Sequence, residues 1–118
     1  MRRGVRSILL SRPDIEVCGE AGDGKEAVAK SLELKPDVIV LDITMPLMGG
    51  FAAAAELRRL LPDTPILFYS IHDGAYLVAE AKRLGVQGFV SKSRISETLL
   101  EAIDALVVRK TTFFPSPA

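Results

Sequence analysis

The sequence predicts an α/β fold: a doubly wound parallel sheet with helices on both faces. Three observations carry that prediction. Strand-like and helical patterns alternate along nearly the whole chain, the pattern of a parallel sheet joined by helical crossovers. The run Val38-Ile39-Val40-Leu41 is continuously apolar and mostly β-branched, as a strand covered on both faces requires. Finally, Asp42, Ser70 and Lys92 each stand at or just past the C-terminal end of a predicted strand. That edge is where open α/β sheets present chemistry to solvent.

The elements follow in order. Val5, Ile8 and Leu9 have helical spacing, and Pro13 marks that segment's end. Ile15 to Cys18 reads as a strand with Ile15 and Val17 on one face. Asp23 followed by Glu26 has the spacing of a capping box, and Ala27, Val28, Ser31 and Leu32 supply the buried side of the next helix. Pro36 ends it, and the strand Val38–Leu41 follows. After a Gly49-Gly50 turn, Phe51, Ala54, Ala55 and Arg58 share a helical face, with Leu57, Leu60 and Leu61 beside it. Ile66 to Tyr69 is a strand ending at Ser70. Asp73 is placed to cap a helix through Leu84, with Gly85 as its C-terminal cap. Phe89 to Ser91 is a last short strand. Ile95, Leu99, Ala102, Ile103 and Leu106 form the apolar stripe of a final helix. The tail "TTFFPSPA" has no periodicity and two Pro, and reads as a linker or frayed end.

Composition narrows the function classes. The chain has 118 residues, enough for one domain with a real core. Fifteen basic and fifteen acidic residues cancel, which removes any general electrostatic case for nucleic acid or a membrane surface. Arg2, Arg3, Arg6 and Arg12 all precede the first acid, Asp14, and read as a solvated helix face. Cys18 is the only cysteine, so no internal disulfide forms; it reads as a small buried hydrophobe in a reducing, cytoplasmic setting. No apolar stretch approaches the roughly 18 residues that span a bilayer, and no signal-peptide core precedes the first helix.

Three groups delivered to one sheet edge suggest phosphoryl chemistry. A carboxylate such as Asp42 can act as nucleophile toward a phosphoryl group and form an acyl phosphate. Catalysis of that transfer is mostly positioning and charge stabilisation, which the Lys92 ammonium and the Ser70 hydroxyl can supply. Each residue also has an ordinary reading: Asp42 as a turn former, Ser70 as a cap, Lys92 as a solvated lysine. Their shared place on successive strand ends favours a joint role. His72, the only histidine, reads as a loop residue. "GEAGDG" lacks the Gly, Lys and Ser/Thr pattern of a phosphate-binding loop and reads as a strand-to-helix turn. A phosphatase using Asp42 would need a second acid for proton transfer, and none stands beside it in sequence.

These motifs carry a resemblance. "LDITMPLMGG" resembles the phosphoacceptor loop of bacterial response regulator receiver domains, with Asp42, Met45, Pro46 and Gly50 at the matching positions. "PILFYS" is similar to the family's fourth strand with its terminal Ser/Thr, Ser70. "GVQGFVSKS" is similar to the fifth, with an aromatic switch position at Phe89 and the lysine at Lys92. "RPDIEVCGEAGDGKEAV" resembles the second strand and helix of the NarL/FixJ-type branch, which usually carries a C-terminal helix-turn-helix output domain.

The resemblance implies a flavodoxin-like, CheY-like three-layer α/β/α fold and a phosphorylation switch. A sensor histidine kinase would pass phosphate to Asp42 with Mg²⁺; Ser70 and Lys92 would engage the phosphoryl group, and Phe89 would turn inward. The metal would draw on Asp42 and the backbone carbonyl of Thr44. The implied product is a switch module and not an enzyme, with residues 1–110 as the receiver domain and 111–118 as the start of a linker. The output domain is outside this sequence, so DNA binding is not assigned to the chain.

The sequence departs from the family pattern in three places. Ser93 stands where Pro often follows the lysine. Gly49 takes a loop position that is often Asp or Asn. The chain also opens within what resembles the first helix, so the family's first strand and its metal-binding acidic pair are missing. Two neighbouring strand edges should then be exposed. Three explanations stay open: an N-terminally truncated receiver, a degenerate receiver acting as a phosphorylation-independent interaction module, or a homodimer or strand-exchanged oligomer that covers the edges.

Overall fold

The structure, a computed structural model, describes residues 3–43, 49–70, 75–91, 95–108 and 112–113. Its elements run α1 (Arg3–Leu10), α2 (Gly24–Leu34), β1 (Ile39–Asp42), α3 (Gly49–Leu60), β2 (Ile66–Ser70), α4 (Ala75–Arg83), β3 (Gly88–Ser91), α5 (Ile95–Val107) and β4 (Thr112–Phe113). The strands form one sheet in the order β1-β2-β3-β4, every pair parallel.

Alternation of side chains across the strands builds two cores. Ile39 and Leu41, Ile66 and Phe68, and Phe89 face one side, where Ala27 of α2, Ala53, Ala54 and Leu57 of α3, and Leu77, Val78 and Ala81 of α4 close over them. Leu67, Tyr69 and Val90 face the other side, against Val5 and Leu9 of α1 and Leu99, Ala102, Ile103 and Leu106 of α5. This is the doubly wound, three-layer arrangement that the alternating pattern predicts. β2 is buried along its whole length, which explains its unbroken apolar run. Phe51 meets Phe68 edge to face at 5.2 Å and anchors the start of α3 on the sheet.

Local signals did their expected work at several joints. Asp23 caps α2, its Oδ1 accepting from the Glu26 N–H at 2.8 Å. Lys35 ends the helix in the left-handed region, at φ 47°. Gly85 follows α4 at φ 84°, a conformation glycine adopts without a Cβ penalty.

Several expectations need correction. Ile15 to Cys18 form no strand: Ile15 and Val17 are half-buried against the α1–α5 core, but the segment enters no ladder. A strand needs a neighbour, and none of the described residues lies between this segment and β1. For the same reason Cys18 is exposed instead of buried. Leu32 is exposed on α2, and on α3 the buried position is Ala53, not Ala55. Thr112 and Phe113, expected within a linker, pair with Gly88 and Phe89 as β4. The Asp73 cap lies outside the described residues.

An exposed ion-pair cluster joins the end of α1 to α5. The Arg12 guanidinium donates to both Asp14 oxygens, at 2.9 and 2.7 Å, and to both Asp104 oxygens at 3.0 Å. Its hydrogen bonds hold the Asp14 carboxyl below its usual range. A carboxylate with a depressed folded-state pKa stabilises the fold above its unfolded pKa and loses that contribution as pH falls through the folded value. Arg12→Gln is therefore expected to flatten the acid limb of a stability–pH curve below about pH 4. The difference from the wild-type chain should shrink in high salt, because the pair is exposed. Asp23→Ala, by loss of the cap, is expected to cost about 1 kcal/mol in urea unfolding at neutral pH.

Candidate functional site

The site is built at the C-terminal ends of β1, β2 and β3. Parallel register pairs Asp42 with Tyr69 and Ser70 with Ser91. Asp42 therefore ends β1 level with the penultimate residue of β2, and Ser70 stands one position beyond it on the adjacent strand. All three polar residues are buried: Asp42 is 7 % exposed, Ser70 0 % and Ser91 3 %. Burying polar groups at the end of a sheet is unfavourable unless each is hydrogen-bonded. Among the described residues no buried side-chain nitrogen or oxygen lacks a partner.

The backbone after Asp42 is pinned from two sides. The Ile43 N–H donates to the Tyr69 carbonyl at 3.2 Å, extending the β1–β2 ladder past the strand. The Ile43 carbonyl accepts from the Gly50 N–H at 3.1 Å. This second bond draws the N-terminus of α3 onto the strand end. A Cβ at Gly50 would lie 2.5 Å from the Ile43 Cα and 2.7 Å from the Asp42 carbonyl oxygen, so only glycine permits the approach. Gly49, at φ 66°, supplies the turn that precedes it. The two glycines after Asp42 are thus part of the site's construction: they allow the α3 N-terminus to sit beside the strand carrying the carboxylate.

Among the expected site residues, Asp42 and Ser70 come together on adjacent strand ends. Phe89 pairs in register with Phe68 and is fully buried in the core on the α2–α4 side. Its ring already occupies the inward position. Lys92 follows Ser91 directly in sequence but lies outside the described residues, as do Thr44, His72 and Ser93. Ser91 was not singled out from sequence. Its only signals were its place at the end of a β-branched run and its adjacency to Lys92. "GEAGDG" serves as the turn into α2, with Asp23 as its cap.

A metal site can be tested against these side chains. Mg²⁺ takes a near-octahedral shell of oxygens, usually with one or more carboxylates. Among the described residues no group of three or more His, Cys, Asp or Glu is placed to hold a metal. Asp42 is the carboxylate at the strand ends, and the described residues do not by themselves fit a Mg²⁺ site.

Comparison with known proteins gives a consistent picture. The family model described as "Response regulator receiver domain" matches residues 1–104. The transcriptional regulatory protein YxjL of Bacillus subtilis is 37% identical over 105 residues, covering 89% of this chain and 48% of that protein. A protein-glutamate methylesterase/protein-glutamine glutaminase of Methanococcoides burtonii is 38% identical over 117 residues, covering 98% of this chain and 33% of its own length. The chain thus spans less than half the length of either relative. The crystal structure of a LuxR-family two-component response regulator from Aurantimonas sp. SI85-9A1 superimposes with a TM-score of 0.90 at 32% identity, covering 95% of this chain and 80% of that one.

Gly50→Ala is expected to destabilise the protein by about 1–3 kcal/mol, because the atoms it meets are backbone and cannot swing aside. Gly22→Ala, which meets nothing within 4 Å, serves as the control. Parallel denaturant titrations of the two variants check this.

Proposed function

Since the chain belongs to the response regulator receiver family, we propose that it is the switch module of a two-component phosphorelay, with Asp42 as phosphoacceptor. The observation that carries this reading is the placement of Asp42 and Ser70, both buried, on adjacent parallel strand ends. In-line transfer to Asp42 forms an acyl phosphate whose equatorial oxygens need positive charge and hydrogen-bond donors. Ser70 supplies a hydroxyl from the next strand, and Lys92, one residue past β3, supplies the ammonium. A sensor histidine kinase is the phosphoryl donor. In the family Mg²⁺ assists this transfer; in this chain the described residues offer Asp42 alone toward it, so transfer should be impaired.

The switch element we assign is Phe89. Its ring lies inside the core, and Ser70 stands two residues past Phe68, the β2 partner of Phe89. A phosphoryl group engaging Ser70 would bias the balance between this inward packing and an outward alternative, repacking the face made by α4, β3 and α5. In this reading residues 1–110 are the switch and 111–118 lead toward an output domain. The chain is a regulatory module without turnover of its own, housed in the cytoplasm, with DNA contact left to the output domain.

A second reading has its own support: the absence of a ligand cluster around Asp42 among the described residues. In that reading the domain is a phosphorylation-independent interaction module, and self-association covers its exposed strand edge.

Acetyl phosphate with Mg²⁺, followed by intact-mass analysis, separates the two. The first reading expects slow, incomplete gain of one phosphoryl group, abolished in Asp42→Asn and strongly reduced in Lys92→Ala. Beryllofluoride with Mg²⁺ should raise the melting temperature of the wild-type chain only. No mass gain and no thermal shift would assign the chain to the second reading.

A further inference from the structure

β4 is the shortest element of the fold. It consists of Thr112 and Phe113 and ends the sheet beside β3. A strand this short, at an edge, sits at the low end of local stability. Its register is nonetheless defined: Gly88 pairs with Thr112 and Phe89 with Phe113. One rung therefore crosses the whole sheet through Leu41, Phe68, Phe89 and Phe113, next to the rung that begins at Asp42. Phe89 is where the two regions meet. Its backbone lies between β2 and β4, and its ring is buried in the core on the α2–α4 side.

We propose that β4 is a strap that holds the Phe89 ring inward, and that it must leave the edge of β3 before the ring can turn out. The ways out of the core are few. α4 lies against β3 and closes the face that the ring occupies. β2 flanks Phe89 on one side, through Phe68. A rotamer change at Phe89 swings the ring sideways. The side away from β2 leads over the edge of β3, and β4 is laid along that edge. A docked strap and an outward ring therefore compete for the same space. The structure holds the two conditions that belong together: β4 is paired, and Phe89 is fully buried.

The inference rests on the reading of Phe89 as the moving element, and not on Asp42 accepting phosphate. Where both hold, a group at Ser70 that favours the outward ring also favours release of the strap. The segment after α5 then carries the change of state away from the sheet.

The strap and the ring can be read separately, without any phosphoryl group. Fluorinated phenylalanine gives each of the chain's five phenylalanines a fluorine NMR signal, and a soluble paramagnetic chelate broadens those that meet solvent. Phe89→Leu identifies the Phe89 signal. Hydrogen exchange across Gly88–Ser91 reports whether the strap is docked. Thr112→Pro and Phe113→Pro, made separately, each remove a backbone N–H from β4. At least one of them should speed exchange of the β3 amides that face β4 about tenfold. The same variant should raise the outward share of the Phe89 ring about fivefold, from roughly 10% to about half. The Phe51 and Phe68 signals, from the same core, should not change. Faster exchange with Phe89 still shielded overturns the proposal. So does unchanged exchange in both proline variants, or a solvent-exposed Phe89 in the wild-type chain while its β3 amides exchange slowly. If Phe51 and Phe68 become exposed as well, the core is lost, and Thr112→Gly with Phe113→Gly takes the place of the proline variants. That pair keeps every N–H and loosens β4 only through backbone freedom. It should give smaller changes of the same sign, and faster exchange without exposure of Phe89 again overturns the proposal. Failure of Asp42 as phosphoacceptor would show in the intact-mass assay and leave these signals unmoved.

Discussion

The parallel pairing of β1 with β2 is the contact on which the rest of this domain depends. It pairs Ile39 with Ile66 and Asp42 with Tyr69, and continues through the Ile43 N–H to the Tyr69 carbonyl. Because side chains alternate along a strand, a slip of one residue would turn Ile39 and Leu41 out of the α2–α4 core and Val40 into it. It would also shift Asp42 from its place level with Tyr69 and so change where it stands relative to Ser70. The same register that sorts apolar side chains between two cores therefore positions the polar groups at the sheet's end. Core packing and site geometry are not separable here, and the cost of misplacing the site is the cost of misplacing the core.

Burial makes this constraint stringent. Asp42, Ser70 and Ser91 are nearly or fully withdrawn from water at the strand ends. Such groups are tolerable only where hydrogen bonds replace hydration, and those bonds demand defined positions. Glycine contributes by letting the backbone come close. Without a side chain at Gly50, α3 starts against the Asp42 carbonyl and the Ile43 Cα. The backbone at Asp42 and Ile43 is thus held between a ladder on one side and a helix start on the other. Rigid elements, not the loops, fix the parts of the site that the structure describes.

Much of this was legible in the sequence because it rests on local signals. The β-branched run before Asp42, the Asp23–Glu26 cap and Gly85 each act through neighbours a few residues away. So does the stripe Leu99, Ala102, Ile103 and Leu106. The strand ends bearing Asp42 and Ser70 were legible for the same reason. What failed depended on distant neighbours. Ile15 to Cys18 alternate as a strand should, yet strand formation requires a partner, and local pattern cannot supply one. Thr112 and Phe113 lack any pattern, yet they lie along β3 because its edge is there to receive them. Ala53 and Ala55 are indistinguishable by residue type, and only the angle at which α3 meets the sheet decides which is buried.

The two edges of the sheet show how differently such exposure is handled. At β3 the edge is closed by two residues of the chain's own C-terminal segment. At β1 none of the devices that usually blunt an open edge appears within the strand: Ile39 to Leu41 contain no Lys, no Pro and no bulge. Protection comes instead from the surroundings. Helices α1, α5 and α2 overhang the edge from both faces, and segment 14–22 stands across from it. That arrangement covers the edge with side chains of both helix layers. It also places Asp42 among the residues that line this side of β1. The open side of β1 and the candidate phosphoacceptor therefore share one lining, and the packing that covers the edge also sets the surroundings of Asp42.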